Sequence, residues 1–158
     1  MECGAAMSGD ADTLSLDEKT LVAQARDAMA NAHAPYSQFA VGAALRLTDG
    51  TIITGSNFEN ASYGLSLCAE TVAIAAANAQ GRLQDIAAIA VLGGPMDSQS
   101  KDVITPCGRC RQILKEAQDV AARPIAILCA APAGESFKRF DLDYLLPDSF
   151  GPANLGIV

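Results

Sequence analysis

Apolar residues at Leu21, Val22, Ala25, Ala28 and Met29 recur with helical spacing and line one face of a first helix. Ser15-Leu16-Asp17-Glu18 ahead of them is a capping-box sequence, which fixes where that helix starts. The pattern ends near Asn31, and His33-Ala34-Pro35-Tyr36 breaks it. Two runs of strand-forming residues follow, Ala40 to Leu47 and Thr51 to Asn57, joined by the hairpin sequence Thr48-Asp49-Gly50. A second helix is predicted from about Leu67 to Ala79, with Gly81 just beyond its end. Ile86 to Leu92 is a short continuous apolar run, as in a buried strand. Pro106 opens a third helix to about Gln118, because the fixed φ of proline suits the first helical position. Pro124 to Cys129 reads as a further strand, Phe137 to Phe140 as a weaker one, and Leu142 to Leu146 as a short helical turn.

The order α-β-β-α-β-α-β-β predicts an α/β fold, a three-layer α/β/α sandwich around a mixed five-stranded sheet. Met1 to Thr13 is small, polar and aperiodic, and is read as a disordered tail, 1–13, ahead of a single domain over 14–158. At 158 residues the chain suffices for one real core. Half of the residues are apolar and only 18% are charged, against about 25% in ordinary soluble domains. No apolar run approaches the ~18 residues of a membrane span, and no leader of signal-peptide type is present. The apolar surplus is therefore expected to be buried against further copies of the chain. Ala73, Ala75, Ala76, Ala77 and Ala79 make both faces of the second helix small enough for such an approach.

Charge and cysteine usage narrow the function. The net charge is −7, and the few basic residues are scattered, with only short pairs such as Lys138-Arg139. A surface that tracks phosphates needs clustered Lys and Arg, so polymeric nucleic acid is not the expected partner. Five cysteines, three of them spaced as metal ligands, fit a reducing compartment, the cytoplasm.

Those three lie in Cys68-Ala69-Glu70 and Pro106-Cys107-Gly108-Arg109-Cys110. Three thiolates fill three corners of a tetrahedral zinc site and leave the fourth for water, whose pKa zinc lowers to roughly 7. All three fall at predicted helix N-termini, where free N–H groups and the helix dipole favour a thiolate. Glu70, two residues after the first ligand, is placed for proton transfer; taken alone it is an ordinary first-turn acid. A C-x-x-C pair also serves in structural zinc knuckles and thiol redox motifs. A closed structural site would need a fourth ligand from Cys3, Cys129 or His33. Cys3 sits in the polar leader, Cys129 ends an apolar run, and His33 lies in a loop, none with paired spacing. His33 is also the only histidine, which leaves nucleophilic mechanisms of the Ser-His or Cys-His type with one poorly placed base.

Further segments extend the pattern. The run from Ala34 to Leu45 (Ala34-Pro35-Tyr36-Ser37-Gln38-Phe39-Ala40-Val41-Gly42-Ala43-Ala44-Leu45), Asn57-Phe58-Glu59-Asn60-Ala61-Ser62-Tyr63, and Leu145-Leu146-Pro147-Asp148-Ser149-Phe150-Gly151-Pro152 join the two cysteine motifs. Together they resemble the small, homotetrameric, zinc-dependent cytidine deaminases, over about Leu16 to Leu155. The resemblance implies one zinc ion per chain on Cys68, Cys107 and Cys110, with Glu70 shuttling protons. It implies that Asn57 and Glu59 hold the ribose 3′-hydroxyl, that Phe39 packs against the nucleoside, and that the Ala69 N–H bonds the pyrimidine carbonyl. Ala61, Tyr63 and Phe150 are implied to complete a neighbouring subunit's site. Read without the resemblance, Phe39 and Phe150 are core residues, Asn57 a turn former and Tyr63 a packing residue.

The implied reaction is hydrolytic deamination of cytidine and deoxycytidine to uridine and deoxyuridine with release of ammonia, a step of pyrimidine salvage. In it, hydroxide attacks C4 of the base, and Glu70 protonates N3 and then the amino group. A deaminase of a modified or antibiotic nucleoside is the alternative within the class, and Asn57-Phe58-Glu59-Asn60 argues instead for plain ribose. A zinc protein whose metal only fixes the fold is the alternative outside it. The chain departs from the resemblance at Thr71, where many members carry an arginine that offsets thiolate charge. A hydroxyl brings a hydrogen bond but no charge, and Arg109 inside the finger is the candidate to compensate.

Overall fold

The computed structural model describes residues 6–10, 13–97, 99–133 and 135–157. Its strands are β1 (Ala6–Asp10), β2 (Phe39–Leu47), β3 (Ile52–Ser56), β4 (Ile86–Pro95), β5 (Ala126–Ala130) and β6 (Ser136–Phe140). The helices are α1 (Leu16–Met29), α2 (Ala69–Ala79), α3 (Gly108–Ala121) and the short α4 (Leu142–Leu145). One mixed sheet runs in the order β1-β6-β5-β4-β2-β3. Only β4 and β5 pair parallel, as the crossover through α3 demands.

Side chains that alternate along the strands divide into two cores, one on each face of the sheet. Leu45, Leu47, Ile89, Val91, Ile127 and Cys129 point to the side of Ala73 and Ala77 of α2 and Leu114 of α3. Ala44, Ala88, Ala90, Leu92 and Leu128 point to the side of Leu21, Val22 and Ala25 of α1. Covered on both faces, β4 is apolar at almost every position, which is why it read as a continuous run. The three layers are those expected. The capping box is present in both halves: the Glu18 N–H donates to Ser15 Oγ at 3.3 Å, and the Ser15 N–H to Glu18 Oε2 at 2.9 Å. Arg139 of β6 donates to the other Glu18 oxygen at 2.6 Å and ties the start of α1 to the sheet.

The sheet has six strands, not the five expected. Part of the tail read as disordered, Ala6–Asp10, is the extra strand and pairs antiparallel with the edge of β6, Ala6 opposite Phe140 and Asp10 opposite Ser136. Edge pairing uses backbone N–H and C=O groups, so a segment without apolar alternation can supply it. Residues 1–5 of that tail lie outside the described residues. Pro106 does not open α3: Cys107 is the N-cap, with extended backbone, and the helix begins at Gly108. It runs on to Ala121 and stops where Ala122 turns left-handed at φ 51°. Strand β4 continues past Leu92 because Gly93 and Gly94 still pair with Val41 and Ala40 of β2. No described helix is long and apolar enough to cross a membrane.

Two glycines set how closely the helices sit on the sheet. A Cβ at Gly42 would lie 2.0 Å from the Ala25 carbonyl of α1, and one at Gly55 would lie 2.4 Å from the Ala69 carbonyl and 2.6 Å from the Ala73 nitrogen of α2. Backbone cannot yield as a flexible side chain would. Gly55→Ala is therefore expected to destabilise the fold by at least the ~1–3 kcal/mol of an overpacked core. Gly64→Ala, with nothing within 4 Å of its new methyl, is the control expected near wild type. Urea denaturation of the two variants checks this, and equal midpoints would refute the close approach.

Candidate active site

Both thiol-bearing segments end at helix N-caps. Cys68 caps α2 and Cys107 caps α3, each in extended backbone and each without a side-chain bond to its own helix. Their sulfurs turn instead toward each other, 3.8 Å apart. Cys110, in the first turn of α3, is fully buried. The three Sγ atoms all lie within 4.8 Å of one another, the single group of this kind among the described residues. Sulfurs bound at about 2.3 Å to a tetrahedral zinc ion would sit about 3.8 Å apart, so the arrangement fits zinc in both donor type and spacing. The contact between Cys110 and Cys68 pulls the Cys68 thiol down to about 6. The same contact, with burial, pushes Cys110 up. Thiolates this close to one another repel, and a cation between them removes that conflict.

Glu70 follows on the first turn of α2 with only 4% of its surface exposed. Burial raises its pKa above the usual carboxylate value. It lies in the wall of a cavity of about 230 Å³, with Cys68 and Cys107 beside it. Val41, Asn57, Glu59, Ser66, Leu67, Ile104 and Thr105 complete the lining.

Two isolated bridges bring Asn57 and Glu59 there, Phe58 pairing with His33 on one side and with Leu67 on the other. Phe58 and Leu67 exchange both backbone hydrogen bonds, at 2.9 and 2.8 Å, next to Cys68. The His33 ring packs 5.7 Å from that of Phe58, and the histidine is not part of the thiol cluster. Asn57 Oδ1 accepts from the Val41 N–H at 2.8 Å, and its Nδ2 donates to the Phe39 carbonyl at 2.9 Å. Glu59 Oε2 accepts from the N–H groups of Tyr36 (2.9 Å) and Ser37 (3.1 Å). Hydrogen bonding at Ser37 leads the effects that hold the Glu59 pKa below its usual value.

The structure thus gathers Cys68, Cys107, Cys110, Glu70, Asn57 and Glu59, with buried Ala69 between the first ligand and the acid. Phe39 stands next to the cavity through its backbone bond to Asn57 and is not part of the lining. Ala61, Tyr63 and Phe150 do not join it. All three are exposed, Tyr63 by 73% and Phe150 by 58%. Phe150 is therefore not the core residue that its bare sequence context suggested. Tyr63 faces Tyr36, rings 5.5 Å apart, in an adjoining recess that shares Glu59 and Ser66 with the cavity. A larger hollow of about 460 Å³ near the end of α3 contains the Lys115–Asp119 ion pair and none of the thiols or Glu70, so the chemistry places the site in the smaller one.

Sequence reasoning missed Val41, Ser66, Leu67, Ile104 and Thr105 as wall residues. Four of them directly precede the cysteine motifs, which was the available signal. Thr71 Oγ1 lies 3.8 Å from Cys110 Sγ, so the hydroxyl reaches a ligand sulfur. Arg109 donates to the Ser66 carbonyl at 3.3 Å on the cavity rim, and its charge adds to the lowering of the Cys68 pKa.

Two helix ends that converge three thiols beside a buried carboxyl, on the wall of a small cavity, define a zinc enzyme of hydrolytic type. Residues 15–125 match the family model described as the cytidine and deoxycytidylate deaminase zinc-binding region, and the chain belongs to that family. A cytidine deaminase of Halalkalibacterium halodurans is 46% identical over 101 residues, 64% of this chain and 72% of the relative. A probable cytidine deaminase of Dictyostelium discoideum is 38% identical over 131 residues, 83% of this chain and 82% of the relative. The crystal structure of cytidine deaminase from Burkholderia pseudomallei superposes with a TM-score of 0.72 at 40% identity, covering 83% of this chain and 97% of that one.

Cys129 and His33 lie outside the thiol cluster, Cys129 being buried in β5 with its thiol pushed up to about 12 chiefly by desolvation. Cys129→Ala is expected to retain one zinc per chain, whereas Cys110→Ala is expected to lose it. Elemental analysis of the purified variants decides, and loss of zinc from Cys129→Ala would reveal a closed four-thiol site.

Proposed function

We propose that the protein deaminates cytidine and deoxycytidine hydrolytically to the uridines and ammonia, with Cys68, Cys107 and Cys110 as zinc ligands and Glu70 as the proton carrier. The observation that carries this reading is the buried Glu70 set beside the thiol cluster on the wall of a nucleoside-sized cavity. Zinc, when bound, lowers the pKa of a water molecule to about 7 and so supplies the nucleophile. Glu70 takes the proton that this water gives up and delivers protons to N3 of the base and to the departing amine. Burial raises its pKa above the usual carboxylate value, which favours the protonated form that donates. Free N–H groups at the start of α2 leave that of Ala69 available to the pyrimidine carbonyl.

Asn57 and Glu59 are suited to a ribose hydroxyl. The asparagine spends one Nδ2 hydrogen on Phe39 and keeps the second as a donor. The glutamate, fixed by two backbone N–H groups and held ionised, is an acceptor. No residue lining the cavity carries positive charge, and two carry carboxyls, which favours a nucleoside over its phosphate. In this reading Phe39 flanks the nucleoside, supported by the bond from Asn57 to its carbonyl beside the cavity.

The reading extends to assembly and setting. Residues 14–158 act as one catalytic domain, to whose sheet the preceding segment adds β1. Exposure of Ala61, Tyr63 and Phe150 supports a homotetramer in which they complete a neighbour's site, and Ala75 and Ala79 leave the outer face of α2 open to close packing. The four described cysteines are free thiols, which suits pyrimidine salvage in the cytoplasm.

Glu70→Gln keeps the shape but cannot exchange the proton, so kcat is expected to fall by at least ~10²–10⁴-fold with zinc retained. Near-normal loss of cytidine absorbance by a zinc-loaded Glu70→Gln protein would overturn the assignment. For the assembly, Glu70→Gln and Phe150→Ala, each inactive alone, are expected to recover part of the activity when co-assembled. A fully active monomer in sedimentation, or no rescue in verified mixed tetramers, would count against a shared site.

A further inference from the structure

Residues 101–107 approach the site without helix or strand structure, yet Ile104, Thr105 and Cys107 line the cavity and Cys107 is one of the three clustered thiols. Something outside regular secondary structure must hold this segment. Arg111, directly after Cys110 on α3, does so with three different nitrogens. Its Nε donates to the Pro106 carbonyl at 2.7 Å, its Nη2 to Thr105 Oγ1 at 3.1 Å, and its Nη1 to the Leu145 carbonyl at 2.9 Å. Leu145 ends α4 and packs into the core, so its carbonyl is a fixed point at a helix terminus. The next residue, Gln112, donates from Nε2 to the Phe150 carbonyl at 2.9 Å. Two successive residues of α3 thus grip both ends of the stretch 145–150.

We propose that Arg111 is a positioning residue: its planar fork locks the Thr105–Cys107 approach against α4 and so fixes one thiol and one cavity wall relative to Cys68 and Glu70. This deepens the function proposed above and rests on it. A guanidinium presents its donors in a fixed plane and can reach three acceptors at once, whereas an ammonium is a single point on a flexible stem. Charge alone therefore does not reproduce the clamp. Misplacement of a reacting group by about 1 Å can cost ~10²-fold in rate, which gives the approach segment leverage over the chemistry.

The test compares zinc-loaded wild type with Arg111→Gln, Arg111→Lys, Thr105→Val and the Arg111→Gln/Thr105→Val double variant. Zinc release to a chromogenic chelator is followed below each variant's melting temperature, alongside kcat and KM for cytidine. Arg111→Gln is expected to release zinc ~10–100-fold faster, the range seen when groups that orient metal ligands are removed. Arg111→Lys should behave like Arg111→Gln, Thr105→Val should shift release and KM in the same direction by less, and the double variant should match Arg111→Gln alone. Wild-type release by Arg111→Lys would reduce the residue to a charge. Additive effects, or a lower melting temperature with release and kinetics unchanged, would reduce it to a structural prop. Should Arg111→Gln fail to fold, wild-type release and KM in Thr105→Val would still overturn the proposal. A wild-type protein that holds zinc but leaves cytidine intact would fail the functional reading and leave the release comparison standing.

Discussion

Three sulfurs held within 4.8 Å of one another repel as soon as they ionise, and the chain keeps them together by pointing two helix N-termini at one place. Everything near the site follows from that convergence. Helix α2 can aim Cys68 there because its first turns lie directly on β3 over Gly55. Helix α3 can aim Cys107 and Cys110 there because it carries the crossover between the adjacent parallel strands β4 and β5. The sheet is the bench on which both helices are set, and Gly55 determines how low α2 sits.

The electrostatics of the pocket are uneven in a useful way. Glu59 is held ionised by hydrogen bonding, foremost from the Ser37 side chain, while Glu70 on the same wall is pushed toward its protonated form by burial. Under the proposed function, two carboxyls of the same chemistry are suited by their surroundings to different tasks, one to bind and one to move protons. Thr71 brings a neutral hydroxyl to Cys110, Arg109 stands at the rim, and Arg111 is turned to the Pro106 and Leu145 carbonyls and Thr105. Thiolate charge is therefore moderated here by dipoles and hydrogen bonds more than by a cation in contact with the sulfurs.

Much of this was legible because it is local. The capping box at Ser15, the hairpin at Asp49-Gly50 and the run of strand formers in β2 are decided by residues next to one another. The ligand set was legible for the same reason, since Cys68 with Glu70 and Cys107 with Cys110 each occupy a single helical turn. Strand β1 was not, because it pairs through backbone groups that no side-chain pattern announces. Nor was the seat of Asn57 and Glu59 legible from local pattern, which depends on bridges from Phe58 to His33 and to Leu67 and was reached only by resemblance. The clamp of Arg111 was hidden because its far acceptor, the carbonyl of Leu145, lies 34 residues away in sequence. Contacts of that range are a property of the finished fold.

The two ligand segments also bracket β4 in the chain, Cys68 before it and Cys107 after it, 39 residues apart. That strand lies between β2 and β5, in the interior of the sheet. The sulfurs therefore meet across a loop that contains the whole of β4, so the site joins two segments that the central strand separates. An ion bound there would close that long loop and so latch the folded domain against the open chain.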